Sequence, residues 1–479
     1  MTSTGKSINS ARWIGLIQVF RILSQFAVLA IVSHFLSPHD YGLAALAGTI
    51  TGFAALFRDL GTSAAVVQTE TLTDKLLDSV FIFNAAVGCV LGLVVFVGAP
   101  YFANFLNMDG LKPVLQLAAL SFPIMSLGAC GQALMERESR FREIARIEIG
   151  SITAGLAVLL GCAISGFGVY SIILQALVVA IISTLQIILA VGWRSGRQFS
   201  MSSFKSIWGF SRDLSLFNFI NYFSRNLDSI VIGRYLGAAE LGAYSMAYKI
   251  MLFPIQNLTS VASRAAFPIF SKIQNDMEMQ RALYLKILSV ISFVSAPLMG
   301  LVYLGREDFL VPLLGEKWAL VGVIVGWLAP IGFLQSIMST SGMIFMANGK
   351  TRRLANVGML GTFLMCISFI SGVRWGVVGV AVAYLIANLI HFMVVMNRVM
   401  VTIELPINSI VRAIGYPLLV AVSLLLMYRL LGLSYLYGHN NAIYAFVGFG
   451  MLYGILYIAS VAVLSPLHVR VGLKLVQRN

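Results

Sequence analysis

Apolar residues run for about twenty positions at a time along this chain, broken by short polar joints from one end to the other. A helix needs about 20 such residues to cross a hydrocarbon core of roughly 30 Å. The pattern predicts fourteen membrane helices, at roughly 12–36, 41–66, 77–99, 113–135, 144–165, 168–193, 207–236, 240–268, 281–303, 318–347, 354–373, 375–398, 409–431 and 441–465. The joints carry turn chemistry: Ser37-Pro38-His39-Asp40, Pro100, Ser165-Gly166, Ser195-Gly196, Asn348-Gly349-Lys350 and Leu405-Pro406. No joint exceeds about 20 residues, so no soluble domain is expected on either face. An outer-membrane barrel is excluded, because its strands alternate in short segments.

Composition agrees. Hydrophobic residues make up 59% of the 479 positions and charged residues 11%, where soluble domains carry about 25% charge. The fold class is therefore all-α integral membrane. Lys6 and Arg12 precede an apolar run too long for a cleavable signal, so that run is read as the first span. The four cysteines (Cys89, Cys130, Cys162, Cys366) lie in apolar runs and are expected to be buried hydrophobes without disulfides. The five histidines are scattered, and no metal site and no cofactor is expected.

The net charge of +14 changes the picture only in sidedness. With the N-terminus in the cytoplasm, the two termini and the inner joints hold 22 of the 33 Lys and Arg residues; the outer joints hold six (Lys112, Arg234, Arg306, Lys317, Arg374, Arg429). That asymmetry obeys the positive-inside rule and places both termini in the cytoplasm. It also removes the need for a nucleic-acid partner.

The chain repeats at an offset near 200. Residues 31–47 read IVSHFLSPHDYGLAALA and residues 231–247 read VIGRYLGAAELGAYSMA, aligning Leu36/Leu236, Asp40/Glu240, Gly42/Gly242 and Ala47/Ala247. Arg142 and Ala145 match Arg352 and Ala355, and Gly168-Val169 matches Gly376-Val377. Six spans separate the copies, so both halves have the same orientation. The expectation is two parallel six-helix lobes, 1–200 and 201–400, and a terminal helix pair with a cytoplasmic tail at 401–479, the substrate path lying between the lobes.

Five cations remain inside the spans: Arg21, Arg58, Arg212, Arg225 and Lys249. A central Arg or Lys costs about 2.5–3.5 kcal/mol on insertion scales, so such residues face protein or water. At 1.5 Å per residue, Arg225 lies roughly 16 Å and Lys249 roughly 14 Å from the outer face, near the midplane. Gln18, Arg21 and Gln25 form one helix face, and Asn218, Asn221 and Arg225 repeat it at the 200 offset, with Tyr222 beside them and Asp228 a turn further on. Span 8 adds Tyr248, Lys249, Gln256 and Asn257. The expectation is an aqueous cationic cavity lined by spans 1, 2, 7 and 8, suited to an anionic ligand such as a lipid-borne diphosphate. Structural readings stand beside these: Arg212 snorkelling, Arg58 snorkelling or paired with an acid, and Arg225–Asp228 as an i, i+3 ion pair.

Other motifs carry less. The run Glu136–Glu148 is read as lying on the cytoplasmic headgroups, with Arg140, Arg142 and Arg146 on lipid phosphates. Gly450 and Gly454 read as a helix-packing pair. Gly166-Phe167-Gly168 is a turn, with no Walker sequence to suggest a nucleotide site.

FLSPHDYGLAALA, RDLGTSAAVVQ at 58–68, NYFSRNLDSIVIGRYLGAAELGAYSMAYKI at 221–250 and LLGEKW at 313–318 resemble the polysaccharide transporters of the multidrug/oligosaccharidyl-lipid/polysaccharide superfamily, and among them Wzx-type flippases of the colanic-acid exporter kind. The resemblance covers nearly the whole chain. It implies a MATE-like fold of about fourteen transmembrane helices and a bacterial inner-membrane location. It also implies movement of undecaprenyl-diphosphate-linked oligosaccharide from the cytoplasmic to the periplasmic leaflet. Membrane lipids, a polysaccharide polymerase and export machinery are the further partners it suggests. In related lipid flippases arginines of the central cavity matter, and Arg21, Arg58 and Lys249 occupy comparable helices here.

On this reading Arg21, Arg58, Arg225 and Lys249 hold the diphosphate. Gln25, Asn218, Asn221, Tyr222 and Gln256 offer hydrogen bonds to sugar. Asp59 and Asp228 are the candidate proton carriers. A drug or organic-cation antiporter on the same fold is the alternative, but it would need unpaired acids where cations predominate. A polymerase or glycosyltransferase would need a large outer loop, and the longest, about 304–317, holds only Arg306, Glu307, Asp308, Glu316 and Lys317 as charged residues.

Overall fold

A computed structural model describes residues 3–58, 62, 66, 72–192, 200–201, 222, 226–254, 266, 269–430 and 442–464. Among them the secondary structure is helical, without a strand. The helices are α1 (Ser3–Phe35), α2 (Pro38–Arg58), α3 (Asp74–Leu106), α4 (Leu111–Ala119), α5 (Ser121–Arg137), α6 (Phe141–Ile164), α7 (Tyr170–Val191), α8 (226–236), α9 (Ala238–Pro254), α10 (Met277–Gly305), α11 (Ala319–Met338), α12 (Ser341–Ala347), α13 (Thr351–Gly372), α14 (Gly376–Ile403), α15 (Ile407–Leu430) and α16 (Ala442–Leu464). Each of the fourteen predicted spans is overlapped by one or more of these helices. The described residues hold nine helical stretches long and apolar enough to cross a membrane; the longest, Thr351–Ile403, contains two spans joined by a tight turn at Val373–Trp375.

Two predicted spans are interrupted. The span at 113–135 divides at Leu120, because Pro123 has no N–H to return to the Ala119 carbonyl. The span at 318–347 divides at Ser339–Thr340. There three consecutive hydroxyls turn back on the helix: Ser339 donates to the Ser336 carbonyl at 2.8 Å, Thr340 to Ile337 at 2.7 Å and Ser341 to Met338 at 2.7 Å. Such back-bonding competes with the helix ladder and bends it.

The chain forms two compact units, Met1–Gly242 and Ala243–Asn479. In the first, α6 packs on α7 and α1, and α3 packs on α4 and α5. The turn before α2 is a capping box. Ser37 Oγ donates to Asp40 Oδ2 at 2.7 Å, and the Asp40 amide donates back to Ser37 Oγ at 3.1 Å. A short distance into α2 the backbone meets the start of α9. A Cβ added to Gly42 would collide with the Ala238 carbonyl, and one added to Gly242 would collide with the Pro38 carbonyl. The four residues are two pairs related by 200 positions, so the contact is reciprocal. Only glycine lets two helix backbones approach so closely.

In the second unit α10 packs on α15 and α11, and α14 on α13 and α11. Its core runs from Phe270, Tyr284 and Leu288 through Ile337, Ile344 and Phe345 to Val399, Ile403 and Val461. Asp276 caps α10 by accepting from the Met279 amide at 2.9 Å.

The repeat is visible in local geometry within each unit. Gly168, shortly before α7, and Gly376, the first residue of α14, are matched in sequence and take φ of +54° and +73°. Arg140 Nη2 donates to the Ala190 carbonyl at the end of α7, at 2.8 Å. Lys350, at the 210 offset, donates to the Thr402 carbonyl at the end of α14, at 3.3 Å. Each cation satisfies an orphan carbonyl at the negative end of a helix.

Two expectations fail in detail. Cys130 is buried, but Cys89 is exposed, on the face of α3 that also exposes Val90, Leu93 and Val97. Lipid accepts a thiol there as readily as a protein core does. The packing expected of Gly450 and Gly454 is not made among the described residues: a Cβ on either meets no described atom within 4 Å.

The two glycine classes separate experimentally. Gly42→Leu and Gly242→Leu are expected to lose folded protein in detergent by about 1–3 kcal/mol or more, the cost of overpacking. Gly454→Ala is expected to stay within about 0.5 kcal/mol of wild type. Thermal melting followed by size-exclusion recovery reads both.

Candidate functional site

Of the predicted site residues, Asp59, Asn218, Asn221, Arg225 and Gln256 lie outside the described residues. Arg58 is the last residue of α2.

In the first unit, Arg21 and Gln25 are exposed on α1, one turn apart, and Gln18 is half-buried on the same face. Arg21 does not stand alone. Its Nε and Nη2 both donate to the Glu148 carboxylate of α6, the second bond being 2.9 Å. The side chains are 51% and 21% exposed. Glu148 is seven residues from the start of α6 and Arg21 fourteen from the end of α1, roughly 10 Å and 21 Å along their helices. Both are odd-numbered spans and run the same way, so the two residues meet at one depth in a core of roughly 30 Å. The sequence pattern groups Glu148 with the rest of its run on the headgroups. The missed signal was that Glu148 is the one charge of that run lying two turns beyond the helix start.

Two arginines of that run are also engaged. Arg140 Nε donates to Glu143 at 2.9 Å and its Nη1 lies 3.5 Å from Glu138. Arg142 lies over the Trp13 ring, 5.8 Å from its centroid.

Tyr222 is set against α2. Its hydroxyl donates to the Thr49 carbonyl at 2.9 Å, its ring lies 6.2 Å from Phe53, and Gly52 leaves the room it needs. Asn226 donates to the Tyr222 carbonyl at 2.8 Å. Asp228 is buried, 3% exposed, and accepts from the Ser229 amide at 2.7 Å. Of the stripe expected on this helix, Asp228 is the one member among the described residues, and it is buried. At the far end of α8, Arg234 stacks on Phe105, 4.5 Å from the ring centroid.

In the second unit, Lys249 is exposed on α9. Beside it, Tyr248 stacks on Tyr244 at 5.9 Å and approaches Tyr384 at 6.4 Å. Tyr384 belongs to a polar cluster that sequence reading missed. Gln335 Nε2 donates to the Tyr384 hydroxyl at 2.8 Å and to Asn388 Oδ1 at 3.1 Å, and Asn388 Nδ2 donates to the Tyr384 carbonyl at 2.8 Å. The signal was available: Tyr384 and Asn388 are polar-tipped residues at i, i+4 in an apolar span.

The model of a family described as "Polysaccharide biosynthesis protein" matches residues 31–322. The lipopolysaccharide biosynthesis protein WzxC of Escherichia coli K12 is 26% identical, covering 82% of this chain and 80% of its own length. The teichuronic acid biosynthesis protein TuaB of Bacillus subtilis 168 is also 26% identical, covering 88% and 89%. Among solved structures, the lipid II flippase MurJ in an inward closed conformation superposes with a TM-score of 0.75 at 16% identity, covering 94% of this chain and 98% of that one. An inward-facing multidrug resistance transporter of the MATE family gives 0.62 at 16% identity, covering 80% and 94%. The chain shares its fold with these two structures.

The missed cluster yields a direct test. Gln335→Leu leaves the Asn388 carbonyl oxygen without its donor and takes one donor from the Tyr384 hydroxyl, away from water, so thermal stability in detergent is expected to fall by about 1–3 kcal/mol. Adding Asn388→Leu is expected to recover part of the loss.

Proposed function

Because the chain belongs to the polysaccharide biosynthesis protein family, we propose that it is a flippase. It carries undecaprenyl-diphosphate-linked oligosaccharide repeat units from the cytoplasmic to the periplasmic leaflet of a bacterial inner membrane, with both termini in the cytoplasm. The observation that carries this reading is a charged guanidinium held inside the span region: Arg21, half exposed, on a helix face with Gln18 and Gln25. A membrane helix retains such a group where it meets an anion or water. The names of the relatives, which concern lipopolysaccharide and teichuronic acid, support a polymer-related substrate. The flippase fold shared with MurJ supports the lipid-borne form.

In this proposal Arg21, Arg58, Arg225 and Lys249 receive the diphosphate. Gln25, Asn218, Asn221, Tyr222 and Gln256 meet the sugars, and the isoprenoid stays in lipid. The lobes 1–200 and 201–400 are the bodies that alternate access, with 401–479 as the accessory pair. Asp59 and Asp228 are the proton carriers. The polymerase and export machinery act on the delivered unit.

Gene deletion in the host is expected to abolish surface polymer and to accumulate lipid-linked repeat units in the cytoplasmic leaflet. Arg225→Ala and Lys249→Ala, restored in its place, are expected to leave export about tenfold or more below wild type, the loss of one charge-assisted phosphate contact. Normal polymer with altered drug sensitivity would instead indicate the organic-cation antiporter. Normal export by both variants would remove the basic stripe from the mechanism.

A further inference from the structure

We propose that Glu148 is a built-in stand-in for the substrate phosphate: it occupies Arg21 when no substrate is bound and is displaced from it during transport. This deepens the flippase reading and rests on it.

The argument begins with the guanidinium. Arg has five N–H donors in a planar fork. Glu148 takes two of them, on the Nε and Nη2 edge. The Nη1 edge makes no hydrogen bond among the described residues, and the side chain is 51% exposed. An anion can therefore dock on the open edge while the carboxylate still holds the other.

The two cannot share the group for long. A diphosphate oxygen and a carboxylate on one guanidinium are like charges a few ångströms apart, in surroundings that screen them weakly. The anion with more charge and more acceptor oxygens prevails.

The acid has no other purpose that the geometry shows. Among the described residues Arg21 is the only ion-pair partner of Glu148, and α7, which packs on α6, carries no charged residue. Without Glu148, an empty Arg21 would leave a naked charge in the span region between substrates. With it, the resting pair is neutral, and the returning carboxylate competes the product off. Glu148 is thus a positioning residue that acts through Arg21. It speeds release at the expense of affinity.

The test is equilibrium binding of undecaprenyl diphosphate to the full chain in lipid nanodiscs, with undecaprenol as the uncharged control, alongside export by the same variants in cells. Glu148→Gln removes the competing charge and keeps the shape. It is expected to bind the diphosphate about tenfold more tightly while exporting more slowly. Glu148→Asp shortens the reach of the carboxylate and is expected to give an intermediate rise of about threefold with a wild-type melting curve, which covers the case in which the glutamine variant folds poorly. Arg21→Gln is expected to bind about tenfold more weakly. Unchanged or weaker binding by both Glu148 variants overturns the exchange and leaves Glu148 as a brace for Arg21, with the flippase reading intact. Equal binding of undecaprenol and undecaprenyl diphosphate by the wild type overturns the exchange and the diphosphate reading together.

Discussion

Hydrocarbon offers no hydrogen-bond partner, and the structure follows from that constraint. Each peptide group within the bilayer must be satisfied by its own segment, which leaves the helix as the form for an open chain. The same demand falls on side chains. Arg21 finds Glu148, and Gln335 finds Tyr384 and Asn388. Helix ends, where four carbonyls lose their intrahelical donors, take cations from the neighbouring segment: Arg140 on the last turn of α7 and Lys350 on the last turn of α14.

The last pair shows how duplication spreads a solution. Two copies of one pattern meet the same physical problems and answer them with equivalent residues. Gly168 and Gly376 both take a positive φ. Gly42 and Gly242 each make room for a carbonyl of the other copy's helix start. Divergence appears where the demand is local. Ser37 and Asp40 cap α2 with side chains, whereas position 237 is a glycine with φ of +91° and no side chain to offer. His34 and Phe35 meet edge to face at 5.0 Å, while the matching Arg234 lies over Phe105.

A charged pair in the span region links this economy to transport. Neutral pairs insert at lower cost than single charges. In the exchange we propose, the Glu148 carboxylate neutralises Arg21 between anions without neutralising it permanently. Glu148 lies beyond the interfacial part of its acidic and basic run, at the depth of Arg21, while Arg140 and Arg142 are committed to Glu143 and Trp13.

The sequence by itself determined the class and the rhythm: helices at every predicted span, the joints, the repeat and the stripe on which Arg21 lies. These depend on local quantities, namely hydropathy over twenty residues and a period of 3.6, that need no knowledge of neighbours. Only the tertiary structure decided who meets whom. Glu148 is 127 positions from Arg21 and Gln335 is 53 from Asn388, and no local pattern ties either pair. The Gly450 and Gly454 spacing suggests a contact that no described residue makes, and Cys89 faces outward although its run is apolar. In lipid both faces of a helix are apolar, so hydropathy cannot tell the buried face from the exposed one. That choice is made by shape and by the few polar groups that have to find each other.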